Sequence, residues 1–429
     1  MKKVVIVGLA KSGVAAARLL AERGDTVFIT EIKDDPGTRS VLDLLIKDNV
    51  VGKDNIETGS HSQGFIERSD MMVVSPGVAM DSPPVKFARD KNIPVISELE
   101  LAYSMCQVPV IAVTGTNGKT TVTTLIGQML KKQGLDAIIC GNIGNPFSGE
   151  IRRIKKGSIV VAEASSFQLE GIETFKPWIS VILNISENHL DRHRDLEEYV
   201  SLKARIFANQ DAGDTIFLND KDRIIKSLVP RIKARIEFFN EYKGLSKKYN
   251  IRNENFLAAM SVASLAGVDE KVMIEVLSGF KGIEHRLEHV ARVNGIDFIN
   301  DSKATTVSSV EWALKSLDGR ITLIMGGKYK GGDFSRLEGP INEKVNRVIA
   351  IGEASPRIKK DLSRLKNVFE EKDMESAVKN AFSNARQGEK ILLSPGCSSF
   401  DMFENYEERG RVFKELCLSL RSNAGISSR

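Results

Sequence analysis

Short apolar runs alternate with longer amphipathic stretches along this chain, and this alternation limits its possible folds more than any other feature. Val4–Val7, Ile159–Ala162 and Ile321–Met325 have the length of strands, and helices are predicted over Val14–Arg23 and about Thr120–Lys132. Such alternation is typical of βαβ units and mainly parallel sheets. We therefore predict an α/β protein whose ligands bind at the carboxyl ends of its strands.

The chain divides into three blocks of alternating pattern. At about 150 residues per domain, its 429 residues suggest roughly two to four domains. The blocks meet near Glu98 and Ile283, so we predict domains at residues 1–98, 99–283 and 284–429.

Composition and charge exclude several classes of protein. Hydrophobic residues make up 42% of the chain, which excludes disorder, and a net charge of only +5 gives little support to nucleic-acid binding. No apolar run reaches the ~18 residues of a membrane span. The apolar start breaks at Gly8 and Lys11 with no cleavage site after it, so we interpret it as a strand and expect a cytoplasmic protein. The four cysteines lie far apart with no CxxC pair, which argues against zinc and against a disulfide framework.

The first block carries a glycine-rich turn between a strand and a helix. Residues Gly8 to Gly13 lack the second glycine of the dinucleotide fingerprint, since Ala10 stands there, and this argues against NAD. Glu31 ends the second strand, where an acidic residue meets a ribose or a base. A nucleotide whose phosphate faces Ser12 and the helix N-terminus fits this pattern, and so does a plain turn that binds nothing.

Two further turns follow predicted strands. Ser75-Pro76-Gly77 can line the same ligand, although a simple turn is the safer interpretation. Asn142, in the turn Gly141–Gly144, can donate its amide to a phosphate, and here a turn is an equally good interpretation because Asn and Gly are common in turns.

The second block contains the strongest motif. Thr114–Thr121 reads Thr-Gly-Thr-Asn-Gly-Lys-Thr-Thr and lies between a strand and a helix, where backbone N–H groups hold phosphate oxygens. Lys119 is placed to reach the β- and γ-phosphates, and the Thr120 hydroxyl to bind Mg²⁺. Val113 replaces the first glycine of the full P-loop, so the loop is a shortened variant.

Acidic and basic residues follow the next strands of this block. Glu163 ends a strand beside the phosphate loop and suits a hard cation, although a solvated loop glutamate is the plainer alternative. His193 we interpret as structural, because imidazole is an unusual ligand for Mg²⁺. Tyr199 and Lys203 are spaced i,i+4 on a predicted helix, and this spacing by itself indicates a surface lysine.

Taken together, these motifs resemble those of the Mur ligase family. The resemblance runs in order through nearly the whole chain, and its last segment is highly specific. The matching segments are Gly8–Gly13, Ser75–Gly77, Thr114–Thr121, Gly141–Gly144, Glu163–Glu170, Asn184–His193, Lys203, His285–Glu288, Asn300–Thr305 and Leu392–Gly410.

The resemblance implies a fold and a reaction. The fold has an N-terminal Rossmann-like domain for a UDP moiety, a central ATP-binding domain and a C-terminal Rossmann-like domain for an amino acid. ATP phosphorylates the carboxylate of UDP-N-acetylmuramoyl-L-alanine, and the amine of D-glutamate then attacks the acyl phosphate to form an amide. The first block and the last segment favour this reaction over those of sibling ligases that add L-alanine, a diamino acid or a dipeptide. The sequence leaves open two alternatives from other classes: an ATPase coupled to conformational change, and a non-catalytic nucleotide-binding protein.

The resemblance also implies the ligands of each substrate. The expected ATP-binding residues are Gly115, Thr116, Asn117, Gly118, Lys119, Thr120, Thr121, Asn255, Arg286, Asp301 and Lys303. The expected residues for the UDP substrate are Ser12, Glu31, Ser75, Gly77, Asn142 and Ser165. The expected residues for the amino acid are Thr305, Lys330, Ser399 and Tyr406.

Two Mg²⁺ ions belong to the implied chemistry. Thr120 and Glu163 match ligands of the ion that binds with ATP, and His189 matches a ligand of a second ion. The resemblance further implies that Lys203 is carbamylated by CO₂ and becomes an oxygen ligand. The implied catalytic residues are Lys119, His189 and Lys203, and we expect a monomer that binds neither nucleic acid nor membrane.

Some positions have plainer interpretations or depart from the family pattern. Lys330 can be solvated charge in a glycine-rich loop, and Ser399 can be a helix N-cap, a position that serine favours. Of the motif Gly-x-His-Asn-x-x-Asn, only Asn255 remains here, which weakens the adenine site. Thr306 replaces the final Asn of the Asn300–Thr305 motif.

Overall fold

The computed structural model describes residues 1–186, 194–241, 248–249, 251–280, 282–329 and 331–426. The chain forms two compact units, Met1–Gly279 and Phe280–Arg429. The first unit contains two parallel sheets, and the second unit contains one mainly parallel sheet.

The first sheet of the first unit has five parallel strands. They are β1 (Lys3–Val7), β2 (Thr26–Glu31), β3 (Ile56–Thr58), β4 (Met71–Val74) and β5 (Val95–Ser97). Their order is β3-β2-β1-β4-β5, so β1 and β4 lie side by side at the point where the strand order reverses. The α-helices of this part are α1 (Lys11–Glu22), α2 (Pro36–Lys47), α3 (Gln63–Ile66), α4 (Pro83–Asp90) and α5 (Glu98–Tyr103).

The second sheet of the first unit has six parallel strands. They are β6 (Val110–Thr114), β7 (Ala137–Gly141), β8 (Ile159–Glu163), β9 (Ile179–Ile182), β10 (Thr215–Leu218) and β11 (Arg235–Phe238). Their order is β11-β10-β9-β6-β8-β7. The described α-helices here are α6 (Lys119–Lys132), α7 (Phe147–Glu150), α8 (Ser166–Glu170), α9 (Leu196–Ala204), α10 (Arg223–Leu228), α11 (Glu254–Leu265) and α12 (Glu270–Gly279).

The sheet of the second unit is parallel except for the hairpin that begins it. Its strands are β12 (Glu288–Val293), β13 (Ile296–Asn300), β14 (Ile321–Gly326), β15 (Val345–Ile351), β16 (Val368–Glu370) and β17 (Lys390–Leu393). Their order is β12-β13-β17-β14-β15-β16. The α-helices are α13 (Val307–Ser316), α14 (Glu338–Lys344), α15 (Ser355–Asp361), α16 (Met374–Asn384) and α17 (Tyr406–Ile426).

The central strands are apolar throughout because both faces of their sheet are covered. All five residues of β6 are buried, as expected for a strand with helices on both sides. The helix α6 buries Val122, Leu125, Ile126 and Met129, which follow the helical spacing of one inward face. This packing holds the amino end of α6 at the carboxyl edge of the sheet.

Two buried glutamates at the start of α5 lie where the two sheets of the first unit adjoin. The Glu100 carboxylate accepts the N–H groups of residues 173–175 at 2.8–3.0 Å and also the Thr174 hydroxyl. Glu98 accepts one N–H, from Ser148 at 2.6 Å, and burial raises the pKa of its carboxyl. Glu100 therefore connects α5 to the segment that follows α8.

The predicted elements agree with the structure in kind, with shifts at their ends. Helix α1 begins at Lys11, three residues before the predicted start at Val14. The hairpin of β12 and β13 was not predicted, because its alternating polar and apolar residues lack the continuous apolar run of the parallel strands. Over the residues that the structure describes, none of the helices combines the length and the apolar character that a membrane span needs.

Candidate active site

The phosphate loop joins β6 to α6 and is held from a neighbouring strand. Gly115 and Gly118 have φ values of 150° and 82°, which favour glycine. Asn184, which follows β9, accepts the Asn117 N–H on its side-chain oxygen at 2.8 Å and the Thr116 N–H on its carbonyl at 2.8 Å. Its amide donates in return to the Asn117 carbonyl at 3.1 Å. The loop is therefore preorganised before any phosphate binds.

Lys119 and Asn255 both lie against this loop. The Lys119 ammonium donates to the carbonyls of Gly115 at 2.9 Å and Thr116 at 3.0 Å. A Cβ at Gly118 would overlap the Asn255 carboxamide, so Asn255 packs directly on the loop from the start of α11. The structure thus brings the residue expected at the adenine site to the phosphate loop.

Thr120 and Glu163 each place a buried oxygen at the carboxyl edge of the second sheet. Glu163 ends β8 with 1% of its surface exposed, so the solvated-glutamate interpretation is wrong. Its Oε1 accepts the Asn142 amide at 2.7 Å. Within the described part of the chain, Glu163 Oε2 and Thr120 Oγ1 have no hydrogen-bond partner. Two buried oxygens without donors fit a hard cation, which prefers oxygen ligands.

Lys203 is buried, and its interpretation as a surface lysine is wrong. Only 1% of its surface is exposed, and its ammonium donates to the Gly115 carbonyl at 2.9 Å and lies 4.4 Å from the centre of the Tyr199 ring. Burial lowers the pKa of Lys203 well below its usual value, Lys119 lowers it further, and Glu163 acts in the opposite direction. The i,i+4 pair faces inward because α9 packs its Tyr199 side against the loop, where the Tyr199 hydroxyl lies 3.3 Å from Thr116 Oγ1.

The candidates of the first block line the carboxyl edge of the first sheet. Glu31 accepts the N–H groups of Leu9 at 2.6 Å and Lys33 at 3.1 Å, so its carboxylate is tied to the glycine turn. Ser75 follows β4 and is buried, and its hydroxyl has no partner among residues with described positions. Ser12 is half-buried in the first turn of α1.

The remaining candidates for the UDP substrate differ in burial. Gly77 and Asn142 are exposed. Ser165 is the N-cap of α8 and forms a capping box with Gln168, so this hydroxyl has a structural partner that the sequence analysis did not identify.

Arg286 and Asp301 come together in the second unit. His285 and Leu287, which flank Arg286, have positive φ values of 63° and 43°, an uncommon conformation for such residues. Asp301 accepts the Leu287 N–H at 3.2 Å and the Ser394 hydroxyl at 2.8 Å. Burial raises the pKa of Asp301 to about 7, and Ser394, Leu287 and Arg286 act against this rise.

Ser399 is not a helix N-cap, because the next helix begins at Tyr406. Ser399 is buried, and its carbonyl accepts the N–H groups of Met402 at 3.2 Å and Phe403 at 2.9 Å. The Lys303 ammonium lies 5.1 Å from the centre of the Tyr406 ring. Thr305 is half-buried next to Thr306, which caps α13.

Arg409 organises this edge, and the sequence analysis did not identify it. It is fully buried and donates to Ser302 Oγ at 3.0 Å, to the Ser302 carbonyl at 2.8 Å and to the Cys397 carbonyl at 3.1 Å. An arginine in a helix with polar neighbours gives no sign of burial in sequence. Its place within the Leu392–Gly410 motif was the available signal. The predicted residues His189 and Lys330 lie outside the described residues.

Three family models match successive parts of the chain. The Mur ligase MurD-like N-terminal domain matches residues 2–97, the Mur ligase middle domain residues 113–281, and the Mur ligase glutamate ligase domain residues 285–397. Together they cover most of the chain in the order expected from its motifs.

Curated relatives and solved structures agree with these matches. The chain is 40% identical to the UDP-N-acetylmuramoylalanine–D-glutamate ligase of Geotalea uraniireducens, with 99% of both chains covered. It is 38% identical to the ligase of the same name from Pelotomaculum thermopropionicum, with 98% of both covered. Among solved structures, MurF ligase from Thermotoga maritima in complex with ADP aligns with a TM-score of 0.60, 15% identity and coverage of 98% and 95%. The UDP-N-acetylmuramate–alanine ligase MurC of the same organism aligns with a TM-score of 0.58, 17% identity and coverage of 98% and 100%. These two alignments confirm the predicted three-domain α/β fold class.

Proposed function

Because the chain belongs to the Mur ligase family, we propose that it uses ATP to join D-glutamate to UDP-N-acetylmuramoyl-L-alanine in peptidoglycan precursor synthesis. The observation that carries the proposal is the buried cluster at the phosphate loop. Within the described residues, Thr120 and Glu163 place two oxygens without partners, and Lys203 places a buried amine, beside a preorganised loop. The location in the cytoplasm and the domain limits near Glu98 and Ile283 stay predictions.

The loop and Lys119 offset the repulsion between the two anions that react. A substrate carboxylate and the γ-phosphate are both anions, and they must meet in line for the phosphoryl group to transfer. Lys119 supplies a cation. Of the assigned loop residues Gly115, Thr116, Asn117, Gly118 and Thr121, the Thr116 and Asn117 N–H groups are bound by Asn184 and fix the loop, so the N–H groups at the start of α6 are the proposed donors to the phosphates.

Thr120 and Glu163 fit the Mg²⁺ ion that accompanies ATP. When bound, Mg²⁺ offsets the charge of the phosphates and helps to align them. Glu163 keeps Oε2 for such an ion because Asn142 occupies Oε1. His189 is proposed as a ligand of a second ion.

Lys203 is proposed to carry a carbamate. A neutral amine attacks CO₂, a new N–C bond forms, and one proton is released to leave –NH–COO⁻. The neutral amine that this step needs is the form favoured by burial, which lowers the pKa of Lys203. The modification turns a buried amine beside Lys119 into an anionic oxygen ligand, which the Lys119 ammonium attracts.

The other substrates are proposed to bind at the remaining strand ends. Ser12, Glu31, Ser75, Gly77, Asn142 and Ser165 are assigned to the UDP substrate. Arg286, Asp301, Lys303 and Asn255 are assigned to ATP, and the buried Arg286 Nε lacks an acceptor within the described ranges, as a ligand-binding group would. Thr305, Lys330, Ser399 and Tyr406 are assigned to D-glutamate.

Phosphate release tests this function. Purified protein receives ATP, Mg²⁺ and UDP-N-acetylmuramoyl-L-alanine, with and without D-glutamate, and the product is identified by mass. We expect release that needs both substrates, together with matching UDP-muramoyl-dipeptide. Release from ATP alone would favour the ATPase alternative, and no release with ATP bound would favour a non-catalytic binding protein.

A further inference from the structure

The segment that follows β14 in the second unit is rich in glycine. We call residues 327–333 the β14 loop, and three of its seven residues are Gly327, Gly331 and Gly332, with φ values of 126°, 94° and 113°. Glycine loses more conformational freedom than any other residue when a chain becomes ordered. Contacts that order this loop before a substrate arrives therefore reduce the entropy that binding must overcome.

The first residues of the β14 loop are bound to the segment that carries Ser399. The Lys328 N–H donates to the Ser398 carbonyl at 2.9 Å, and the Ser398 N–H donates to the Lys328 carbonyl at 3.2 Å. These two bonds form a short antiparallel bridge. The bridge places the start of the loop next to Ser399, which is assigned to the amino-acid substrate.

The far end of the β14 loop lies against the segment that carries Thr305. A Cβ at Gly332 would lie 3.1 Å from Val307 Cγ2, so the Gly332 backbone packs closely on the first residue of α13. Val307 follows Thr305, a second residue assigned to the amino acid, by two positions. Lys330, a third such residue, belongs to the loop by sequence. The loop therefore connects the segments from which the amino-acid site is assigned.

Tyr329 holds the β14 loop in two ways. Its hydroxyl donates to the Gly332 carbonyl at 2.9 Å, which closes the loop on itself. Its ring centre lies 5.9 Å from that of Phe334, a fully buried residue of the core. The Arg357 guanidinium lies 5.8 Å from the Tyr329 ring centre and donates to Asp361 at 2.8 Å. The ring thus fixes the loop to the core, and the hydroxyl fixes its far half.

We propose that Tyr329 is a positioning residue for the amino-acid substrate, because it holds the β14 loop in its binding conformation before that substrate arrives. Tyr329 acts through the loop and needs no contact with the substrate. An amino acid with two carboxylates needs cations and N–H donors at fixed positions, which a freely moving glycine-rich loop would not supply. The inference rests on the proposed function for the identity of the amino acid.

The first test is the steady-state kinetics of Tyr329→Phe, which removes the hydroxyl and keeps the ring on Phe334. We expect the KM for D-glutamate to rise about fivefold, the size of one hydrogen bond between neutral groups. The kcat and the KM values for ATP and the UDP substrate should stay unchanged, because the loop contributes binding to one substrate only. An unchanged KM for D-glutamate overturns the proposal, and so does an equal rise of all three KM values.

Tyr103→Phe is the matched control. The Tyr103 hydroxyl also donates to a backbone carbonyl at 2.9 Å, that of Lys176, and its ring centre lies 5.1 Å from that of Phe175. This tyrosine belongs to α5 of the first unit and is not assigned to any substrate. We expect its loss of a hydroxyl to leave the KM for D-glutamate unchanged. A rise equal to that of Tyr329→Phe would assign the effect to a general loss of stability and overturn the proposal.

Hydrogen exchange of the β14 loop tests the same inference without catalysis. In the ligand-free protein, we expect the amides of residues 327–333 to exchange about fivefold faster in Tyr329→Phe, because the loop opens more often. Tyr103→Phe should exchange at the rate of the unmodified protein over this segment. Equal exchange in Tyr329→Phe and the unmodified protein overturns the proposal.

The two measurements together separate this inference from the proposed function. An active ligase whose loop exchanges faster in Tyr329→Phe but whose KM for D-glutamate is unaltered overturns the inference alone. In a protein without ligase activity, D-glutamate can still slow the exchange of the loop. If that protection needs about fivefold more D-glutamate in Tyr329→Phe, the inference holds and the ligase function alone is overturned.

Discussion

The carboxyl edges of the second and third sheets differ in how fully their buried polar groups are hydrogen-bonded. At the second sheet, Thr120 Oγ1 and Glu163 Oε2 have no donor within the described residues, and Lys203 makes one hydrogen bond. At the third sheet, Arg409 makes three hydrogen bonds and Ser302 both donates and accepts. An unpaired buried polar group costs about 1–3 kcal/mol, so the second edge gives up stability that a bound ligand would restore.

The difference indicates which edge is prepared for ions and which serves as a scaffold. Oxygens and an amine without full partners are suited to a metal and a phosphate, whereas a saturated network holds loops in place. Three buried groups at the third edge also lack a partner in the described part of the chain: Arg286 Nε, Ser355 Oγ and Asp401 Oδ1. Of these residues, Arg286 is assigned to ATP.

The largest expected effect is at the second edge. Lys119→Ala should lower turnover by at least about 10³-fold, because it removes the cation that the loop presents to the γ-phosphate. The measurement is the rate of dipeptide formation. The matched control is Lys131→Ala, an exposed position in the last turn of the same helix, which should keep its rate. Retained activity in Lys119→Ala would contradict the phosphate assignment.

At the third edge, the largest effect should be on stability. Arg409→Lys removes the planar group that reaches Ser302 and Cys397 together. We expect the free energy of unfolding, measured in urea, to fall by about 3 kcal/mol, because hydrogen bonds to charged groups contribute about 1.5–3 kcal/mol each. Arg411→Lys, two residues along and exposed, is the control. Equal stability of the two variants would show that the buried network adds little.

Lys203→Ala should reduce turnover by about 10²-fold, with partial rescue by added acetate or formate. A small carboxylate can occupy the space of the lost carbamate and restore an oxygen ligand. Rates are measured with and without the added anion, and Lys226→Ala on α10 serves as an exposed control. Full activity without rescue would leave Lys203 with a packing role only.

Asp301 should make stability depend on pH in a defined direction. Its folded pKa of about 7 exceeds its usual value of 3.8, so the folded state holds the proton more tightly. This contribution is complete below about pH 4 and is lost as pH rises through about 7, with a slope of up to about 1.4 kcal/mol per pH unit. Urea unfolding across this range checks it. Asp301→Asn should reduce the fall in stability with rising pH. An unaltered slope in that variant would assign the pH dependence to other groups.

The smallest effects give the most direct comparison of the two edges. Thr120→Val removes a buried hydroxyl that has no partner in the described part of the chain, and it should stabilise the ligand-free protein by about 1 kcal/mol while turnover falls. Ser302→Ala should instead destabilise it by about 1–2 kcal/mol, because the Arg409 Nε–H and the Tyr406 carbonyl lose their partner. Urea midpoints of the two variants provide the test. Midpoints that shift in the same direction in both variants would contradict the proposed difference between the two edges.

Sequence was sufficient where function depends on residues close together in the chain. The alternation of strands and helices predicted the α/β class, and Thr114–Thr121 predicted the loop, because a strand, two glycines and a helix start determine its path locally. The position of Glu163 at the end of an apolar strand was predicted for the same reason.

Tertiary structure decided the features that join distant segments. Asn184 lies 67 residues from the loop residue it holds, and Arg409 lies 107 residues from Ser302. Helical spacing places Tyr199 and Lys203 on one face but does not say whether that face meets solvent or the loop. Burial, and with it the lowered pKa of Lys203, depends on how α9 packs.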